Sequence, residues 1–335
     1  MEIKNKSVLV SGGAGFIGSH VVDRLIKENP EKIIVLDNFF LGKKENLAAA
    51  KRQFRSLKII NLDVTKTNEV GKIIKSNNVD VVFNLAVIPL PTSLEKPVWV
   101  FEQNVKMAST FLELARKDKF KTLVHFSSSE AYGTALKVPM NENHPTNPTT
   151  TYGASKLACD HLTMIYHNMY GIDASIIRPF NNYGPRQNSG SYAGVIPLTI
   201  NRIKKKEAII IHGDGLQTRD WTHVTDTADA AIKICKTEST RGKIINIASG
   251  RETAIKDLIN TIIKLTNHKG KIIHTKPREG DIRRHFADVS LAKKLINFKC
   301  RVELGNGLRN LLGYYLKQKT YEISSFIYLI CFKFL

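Results

Sequence analysis

Six apolar runs of strand length alternate with segments of helical periodicity through the first half of the chain, and this alternation restricts the fold more than any other feature. The runs are SVLV (7–10), KIIVLD (32–37), LKII (57–60), DVVFNLA (80–86), TLVHFSS (122–128) and ASIIRP (174–179); helical patterns occupy 16–28, 66–77, 98–116 and 152–170. A strand that is apolar at every position needs cover on both faces, and parallel strands joined by helices provide it. Right-handed crossovers then predict an α/β fold with a Rossmann-type, doubly wound parallel sheet over residues 1–180. Beyond 180 the loops lengthen and fill with Asn, Gly and Pro (NNYGPRQNSGSYAG), with strands expected near 208–212 and 243–248. A smaller C-terminal substrate-binding domain is expected over 181–317, with segments returning to the sheet. Residues 318–335 form an atypical apolar tail.

Composition narrows the classes. With 42% hydrophobic and 24% charged residues, disordered, collagenous and coiled-coil proteins are excluded. Fifty Lys and Arg against thirty Asp and Glu leave a net charge of +20, which favours an anionic partner. A polyphosphorylated ligand needs few of these charges, a basic surface is the plain alternative, and adhesion to nucleic acid or membrane is the residual one. The cysteines (159, 235, 300 and 331) form no CxxC pair, and the histidines show no ligand spacing, so reduced thiols and no metal are expected. The N-terminus enters a strand with no leader-like segment, so a cytoplasmic location is expected. The run FIYLICFKFL (326–335) is far shorter than the ~20 residues of a membrane span and reads as a tail docked on the core or on a partner.

The first strand runs directly into Ser11-Gly12-Gly13-Ala14-Gly15-Phe16-Ile17-Gly18, and a helical pattern begins at once. Glycines there permit a tight turn, let backbone N–H groups approach a pyrophosphate, and pack the helix on the sheet. A tight turn alone would also use glycine. However, Asp37 follows 19 residues after Gly18, at the end of the second strand, where a carboxylate binds a ribose 2′-hydroxyl and repels a 2′-phosphate. NAD is therefore expected in preference to NADP. Asp63-Val64 and Asn84-Leu85-Ala86 end the third and fourth strands and point toward the same crevice, although either could be only a turn or a strand end.

The chemistry is carried by Tyr152-Gly-Ala-Ser-Lys156. Positions i and i+4 share a helix face, so phenol and ammonium can reach one cleft. A phenol with its ordinary pKa of ~10 is a poor base, and a neighbouring Lys⁺ is expected to lower that value. YxxxK is common by chance on solvated helices, but here a strand ending in Ser127-Ser128-Ser129-Glu130 precedes it and adds hydroxyls to the crevice.

With these motifs in order, the chain resembles the extended short-chain dehydrogenase/reductase family, in its nucleotide-sugar epimerase, dehydratase and decarboxylase branch. The resemblance runs from about 6 to about 310 and rests on SGGAGFIGSH, DNF, DV, NLA, SSSEAYG, YGASK, RPFNNYGPRQ, GDGLQTRDWTHV and REGDIRRHFADVS. It implies Tyr152 as acid/base, Lys156 as its partner and Ser128 as the hydroxyl bonding the sugar oxygen. NAD contacts would be Gly12, Gly15, Phe16, Ile17, Gly18, Asp37, Asn38, Asp63, Val64, Leu85 and Ala86, with Tyr152 and Lys156. The nucleotide sugar would meet Ser128, Asn181, Arg219, Arg278, Asp281 and His285.

Family members of this kind pass through a 4-keto sugar. Dehydratases carry an Asp-Glu pair after the active-site hydroxyl, where this chain has Ser129-Glu130. A decarboxylase resembles the chain at Ser129-Glu130 and DNFFLGKKENL but would carry Arg three residues before Asp288, where His285 stands. The resemblance thus implies a UDP-hexose 4-epimerase acting on UDP-glucose and UDP-galactose, with UDP-glucuronate decarboxylase or UDP-glucuronate 4-epimerase as the alternative. His285 would limit the size of the sugar substituent, and when protonated could attract a carboxylate. A nucleic-acid-binding protein on the same fold is the different class kept open by the charge. The resemblance also implies a homodimer pairing the helix before the fifth strand with the YxxxK helix, through Phe101, Val105, Phe111, Leu112, Leu157, Leu162, Ile165 and Met169.

Overall fold

The computed structural model describes residues 1–188, 193–277 and 283–315. Seven parallel strands form the central sheet: β1 (Ser7–Ser11), β2 (Lys32–Asp37), β3 (Leu57–Asn61), β4 (Val81–Asn84), β5 (Thr122–Phe126), β6 (Asp173–Pro179) and, after β7 (Asn181–Tyr183), β8 (Ile209–His212), β9 (Thr218–Arg219) and β10 (Trp221–His223), the seventh, β11 (Ile244–Ile247). Their spatial order is β11-β6-β5-β4-β1-β2-β3, so the winding direction reverses between β1 and β4. That reversal opens a crevice at the strand C-termini.

The helices of the first half are α1 (Phe16–Ile26), α2 (Ala48–Gln53), α3 (Thr67–Ser76), α4 (Leu90–Glu95), α5 (Pro97–Arg116) and α6 (Thr151–Tyr170); α7 (Val195–Lys204), α8 (Val224–Lys236), α9 (Ile255–Thr266) and α10 (Ser290–Ile296) follow. The continuous apolar runs have the expected cause. Val8, Val10, Ile33 and Val35 enter one core with Val21 and Leu25 of α1, while Leu9, Ile34 and Leu36 enter the other with Met107 and Phe111 of α5. Each strand therefore feeds two cores by alternation, and the few polar residues buried in the strands, such as Ser11 and Asn84, pair with one another.

The second half adds short pairs: β10 beside β7, β12 (Thr253–Ala254) beside β9, and β13 (Ile272–Thr275) beside β8. A separate cluster of Tyr183, Ile196, Ile209, Trp221, Leu258, Ile262 and Leu308 holds them together. Two of the expected seam residues are corrected here. Phe111 and Leu112 are fully buried in the chain's own core, because α5 lies on the sheet and turns those positions inward. Phe101, Ile165 and Met169 are exposed. Among the described residues no helix is long and apolar enough to cross a membrane.

Candidate active site

A cleft of about 1290 Å³ lies along the C-terminal ends of the strands. Every position expected to touch the dinucleotide lines it: Gly12, Gly15, Phe16, Ile17, Gly18, Asp37, Asn38, Asp63, Val64, Leu85, Ala86, Tyr152 and Lys156, joined by Ser128. Gly12 has φ +65°, and a Cβ there would sit 2.9 Å from the Leu85 and Ala86 backbone. At Gly18 a Cβ would sit 2.2 Å from the Gly12 carbonyl, so only glycine lets α1 start this close to β1. The N-cap of α1, Gly15, provides no side-chain cap, leaving the first-turn N–H groups for an anion in the cleft.

Below the loop, Ser11 Oγ donates to Asn84 Oδ1 (2.7 Å) and accepts from Leu85 N and Ala86 N (both 3.2 Å), tying the end of β4 to the end of β1. Asp37 is buried at the end of β2. Its Oδ2 accepts from Ala14 N (2.9 Å) and its Oδ1 from Phe39 N (2.8 Å), while burial holds the carboxyl above its usual range. Asp63 Oδ1 accepts from Thr65 N (2.9 Å) and Thr65 Oγ1 (2.8 Å), fixing the turn after β3. A glycine cradle that no Cβ could enter, opposite a buried carboxylate at the end of the second strand, fits a dinucleotide.

Tyr152 and Lys156 project from the first turns of α6, which Thr150 caps by accepting from Gly153 N (3.0 Å). Ser128, just beyond β5, lines the cleft with Tyr152, and its Oγ accepts from Glu130 N (3.3 Å). The Lys156 ammonium, buried, donates to the Phe126 carbonyl at the end of β5 (2.8 Å), and burial lowers its pKa. This corrects the expected electrostatics. Burial pushes the Tyr152 phenol up to about 12, with the Ser128 hydroxyl opposing the rise and the Glu130 charge adding to it. The ammonium is turned to a backbone carbonyl, so desolvation governs the phenol.

Two residues that the sequence reading passed over hold this helix. Asp160, one turn beyond Lys156, accepts from Ser127 Oγ (2.6 Å) and pairs with Arg178 of β6 (2.5 Å), all three buried. The Arg178 guanidinium also lies 4.3 Å from the centre of the Tyr132 ring, and Tyr132 OH donates to Asn246 Oδ1 of β11 (2.8 Å). The signal was present: an arginine inside the apolar run ASIIRP requires a buried partner.

The expected sugar-nucleotide contacts are divided. Asn181 and Arg219 are half-buried outside the cleft lining, on β7 and β9. The Asn181 amide nitrogen has no hydrogen-bond partner among the described residues, and Arg219 Nη1 donates to the Thr218 carbonyl (2.8 Å). Arg278 and Asp281 lie outside the described residues. His285 is corrected: it is 1% exposed and does not line the cleft, because its ring stacks on Phe180 (centroids 4.9 Å apart), and Phe180 forms the wall. Burial, aided by Arg219, takes its pKa down to about 4, so it is neutral near pH 7. Asp220 pins this region from within, accepting from Ser249 N (2.8 Å), Gly250 N (2.9 Å) and Ala287 N (3.3 Å).

Comparison with known proteins agrees with this geometry. A Methanocaldococcus jannaschii protein with the provisional name UDP-glucose 4-epimerase is 36% identical over 92% of this chain and 97% of its own. The UDP-N-acetyl-alpha-D-glucosaminuronate decarboxylase of Bacillus cytotoxicus is 32% identical over 92% of this chain and 98% of its own. The solved UDP-N-acetylglucosamine 4-epimerase of Methanobrevibacter ruminantium, in complex with UDP-N-acetylmuramic acid, superposes with a TM-score of 0.87 at 33% identity, covering 94% of this chain and 99% of that one. Residues 8–248 match the model of one family. The chain is an enzyme with NAD as its cofactor and belongs to the NAD dependent epimerase/dehydratase family.

Proposed function

We propose that the chain is a UDP-hexose 4-epimerase interconverting UDP-glucose and UDP-galactose through a transient 4-keto sugar. The observation that supports this most is that Ser128, Tyr152 and Lys156 together line the dinucleotide cleft. Bound NAD supplies the acceptor and donor of the hydride at sugar C4. The glycine loop from Gly12 to Gly18 holds its pyrophosphate, Asp37 and Asn38 its ribose, and Asp63, Val64, Leu85 and Ala86 the adjoining walls. Tyr152 takes the C4 hydroxyl proton as the C–H bond breaks and returns it when the keto sugar, turned over, is reduced on its other face. Ser128 bonds the reacting oxygen and fixes its direction. Lys156, one helical turn along and lining the same cleft, holds the nicotinamide ribose. Asn181 and Arg219, with Arg278 and Asp281, hold the nucleoside diphosphate. The enzyme works in the cytoplasm as a homodimer, with the exposed apolar positions of α5 and α6 as its seam.

No further acid and base beyond these groups is required for epimerisation. The Ser129-Glu130 pair and the string DNFFLGKKENL, both resembling a decarboxylase, favour a second reading, a UDP-glucuronate decarboxylase or 4-epimerase. A panel of UDP-, dTDP- and GDP-sugars, with products identified by mass and anomeric NMR, decides between them. Conversion of UDP-glucose to an isomer of equal mass is the expected result. Release of CO2 from UDP-glucuronate without UDP-glucose turnover would replace the epimerase reading.

A further inference from the structure

Asp37 is enclosed by a strap that begins directly after it. Ala14, in the middle of the glycine loop, donates its N–H to Asp37, and its carbonyl accepts from Lys43 N (3.0 Å) and Asn46 Nδ2 (2.8 Å). Phe39 N holds the other carboxylate oxygen. Segment 38–46 is thus fastened to a single residue of the loop and folded across the carboxylate. Gly42 of this segment lies against the carboxylate, so that a Cβ there would lie 2.6 Å from Asp37 Oδ1 and 2.7 Å from Oδ2. Gly42, Lys43 and Asn46 all line the cleft.

We infer that Asn46 and Gly42 are positioning residues for cofactor selectivity, holding the strap over Asp37 so that neither strap nor carboxylate can move aside for a phosphate on the adjoining ribose. The inference rests on the reading of Asp37 as the ribose ligand. A 2′-phosphate could enter only if Asp37 rotated away or the strap lifted. Rotation would leave the Ala14 and Phe39 N–H groups unpaired next to a buried site. Lifting the strap would strip both donors from the Ala14 carbonyl. The Asn46 amide is the side-chain part of that restraint, so its removal loosens the strap without changing any charge.

Direct calorimetric binding of NAD and NADP to the whole protein, with melting temperatures measured in parallel, tests this on Asp37→Asn, Asn46→Ala and Gly42→Ala. Asn46→Ala should weaken NAD binding about five-fold, the loss of one hydrogen bond, and leave NADP binding unchanged or stronger. Gly42→Ala should weaken NAD about ten-fold or more, since its methyl and the carboxylate compete for one space. Equal weakening of both cofactors with a lowered melting temperature would overturn the inference and make the strap merely structural. If Asp37→Asn abolishes the NAD preference while Asn46→Ala preserves it, the strap has no part in selectivity and the reading of Asp37 stands. If Asp37→Asn preserves the preference, that reading falls and the inference with it.

Discussion

At the scale of single residues, the phenol of Tyr152 combines two opposing demands. Burial stabilises its neutral form and the nearby Ser128 hydroxyl partly offsets that. Tyr152→Phe removes only the hydroxyl, so fold and NAD binding should persist while turnover falls ~10²-fold or more, the range for a positioned acid/base. Steady-state kinetics with a parallel measure of bound NAD check this, and near-wild-type turnover would remove Tyr152 from the reaction. His285 acts at one remove. Its ring backs Phe180, so His285→Ser should leave a void into which Phe180 can shift, raising relative activity on UDP-N-acetylglucosamine. The wild type is expected to prefer UDP-glucose and UDP-galactose, and a wild-type preference for the N-acetyl pair would contradict the size argument. Because its pKa sits at about 4, His285 gains charge only as pH falls toward that value. The ratio of KM for UDP-glucuronate to KM for UDP-glucose should therefore show no His285-dependent change between about pH 6 and 8, measured on wild type and His285→Ser.

At the scale of elements, α6 has to present two side chains at the end of β5 while the rest of it packs elsewhere. The Asp160–Arg178 pair does this by joining the helix to β6, and Ser127 joins it to β5. Removing one partner of a buried pair leaves the other desolvated and uncompensated, so Arg178→Met should cost about 3–5 kcal/mol of stability. Chemical denaturation measures it, and a loss below ~1 kcal/mol would show that water reaches Asp160. Much of this element level was legible beforehand. β1, β2, β4, β5 and β6 stood out because two cores make most of their residues apolar, and Tyr152, Lys156 and Ser128 because a helix turn and a strand end put them in one place. The direction of Lys156 was not legible, since its partner is a backbone carbonyl, which no residue type announces. Nor was the burial of His285, which depends on Phe180 at the end of β6 and on residues 286–288 pairing beside Met140. Gly42 and Asn46 were read only as part of a string, because their target, the Ala14 carbonyl, belongs to a loop noticed for its glycines.

At the scale of the whole molecule, charge and apolar surface act against each other. α5 and α6 pack side by side and present Phe101, Ile165 and Met169 outward, with Met169 68% exposed. A helix pair with such a face buries it well against a second copy, and a two-fold axis lets the same four helices serve both partners. Each copy carries a formal charge of +20, so approach is opposed over long range. Salt screens that repulsion beyond about 10 Å at 0.1 M but leaves the dry apolar contact intact. Dimerisation should therefore strengthen as ionic strength rises from ~10 mM to ~150 mM, the reverse of an interface held by ion pairs. Light scattering is expected to give twice the 37.6 kDa chain mass at the higher salt and a shift toward monomer at the lower. The double substitution Ile165→Glu and Met169→Glu should give monomer at both, because neither side chain contributes to the fully buried core. A wild-type monomer at every salt concentration, or a dimer that the double variant leaves unchanged, would place the subunit contact away from α5 and α6.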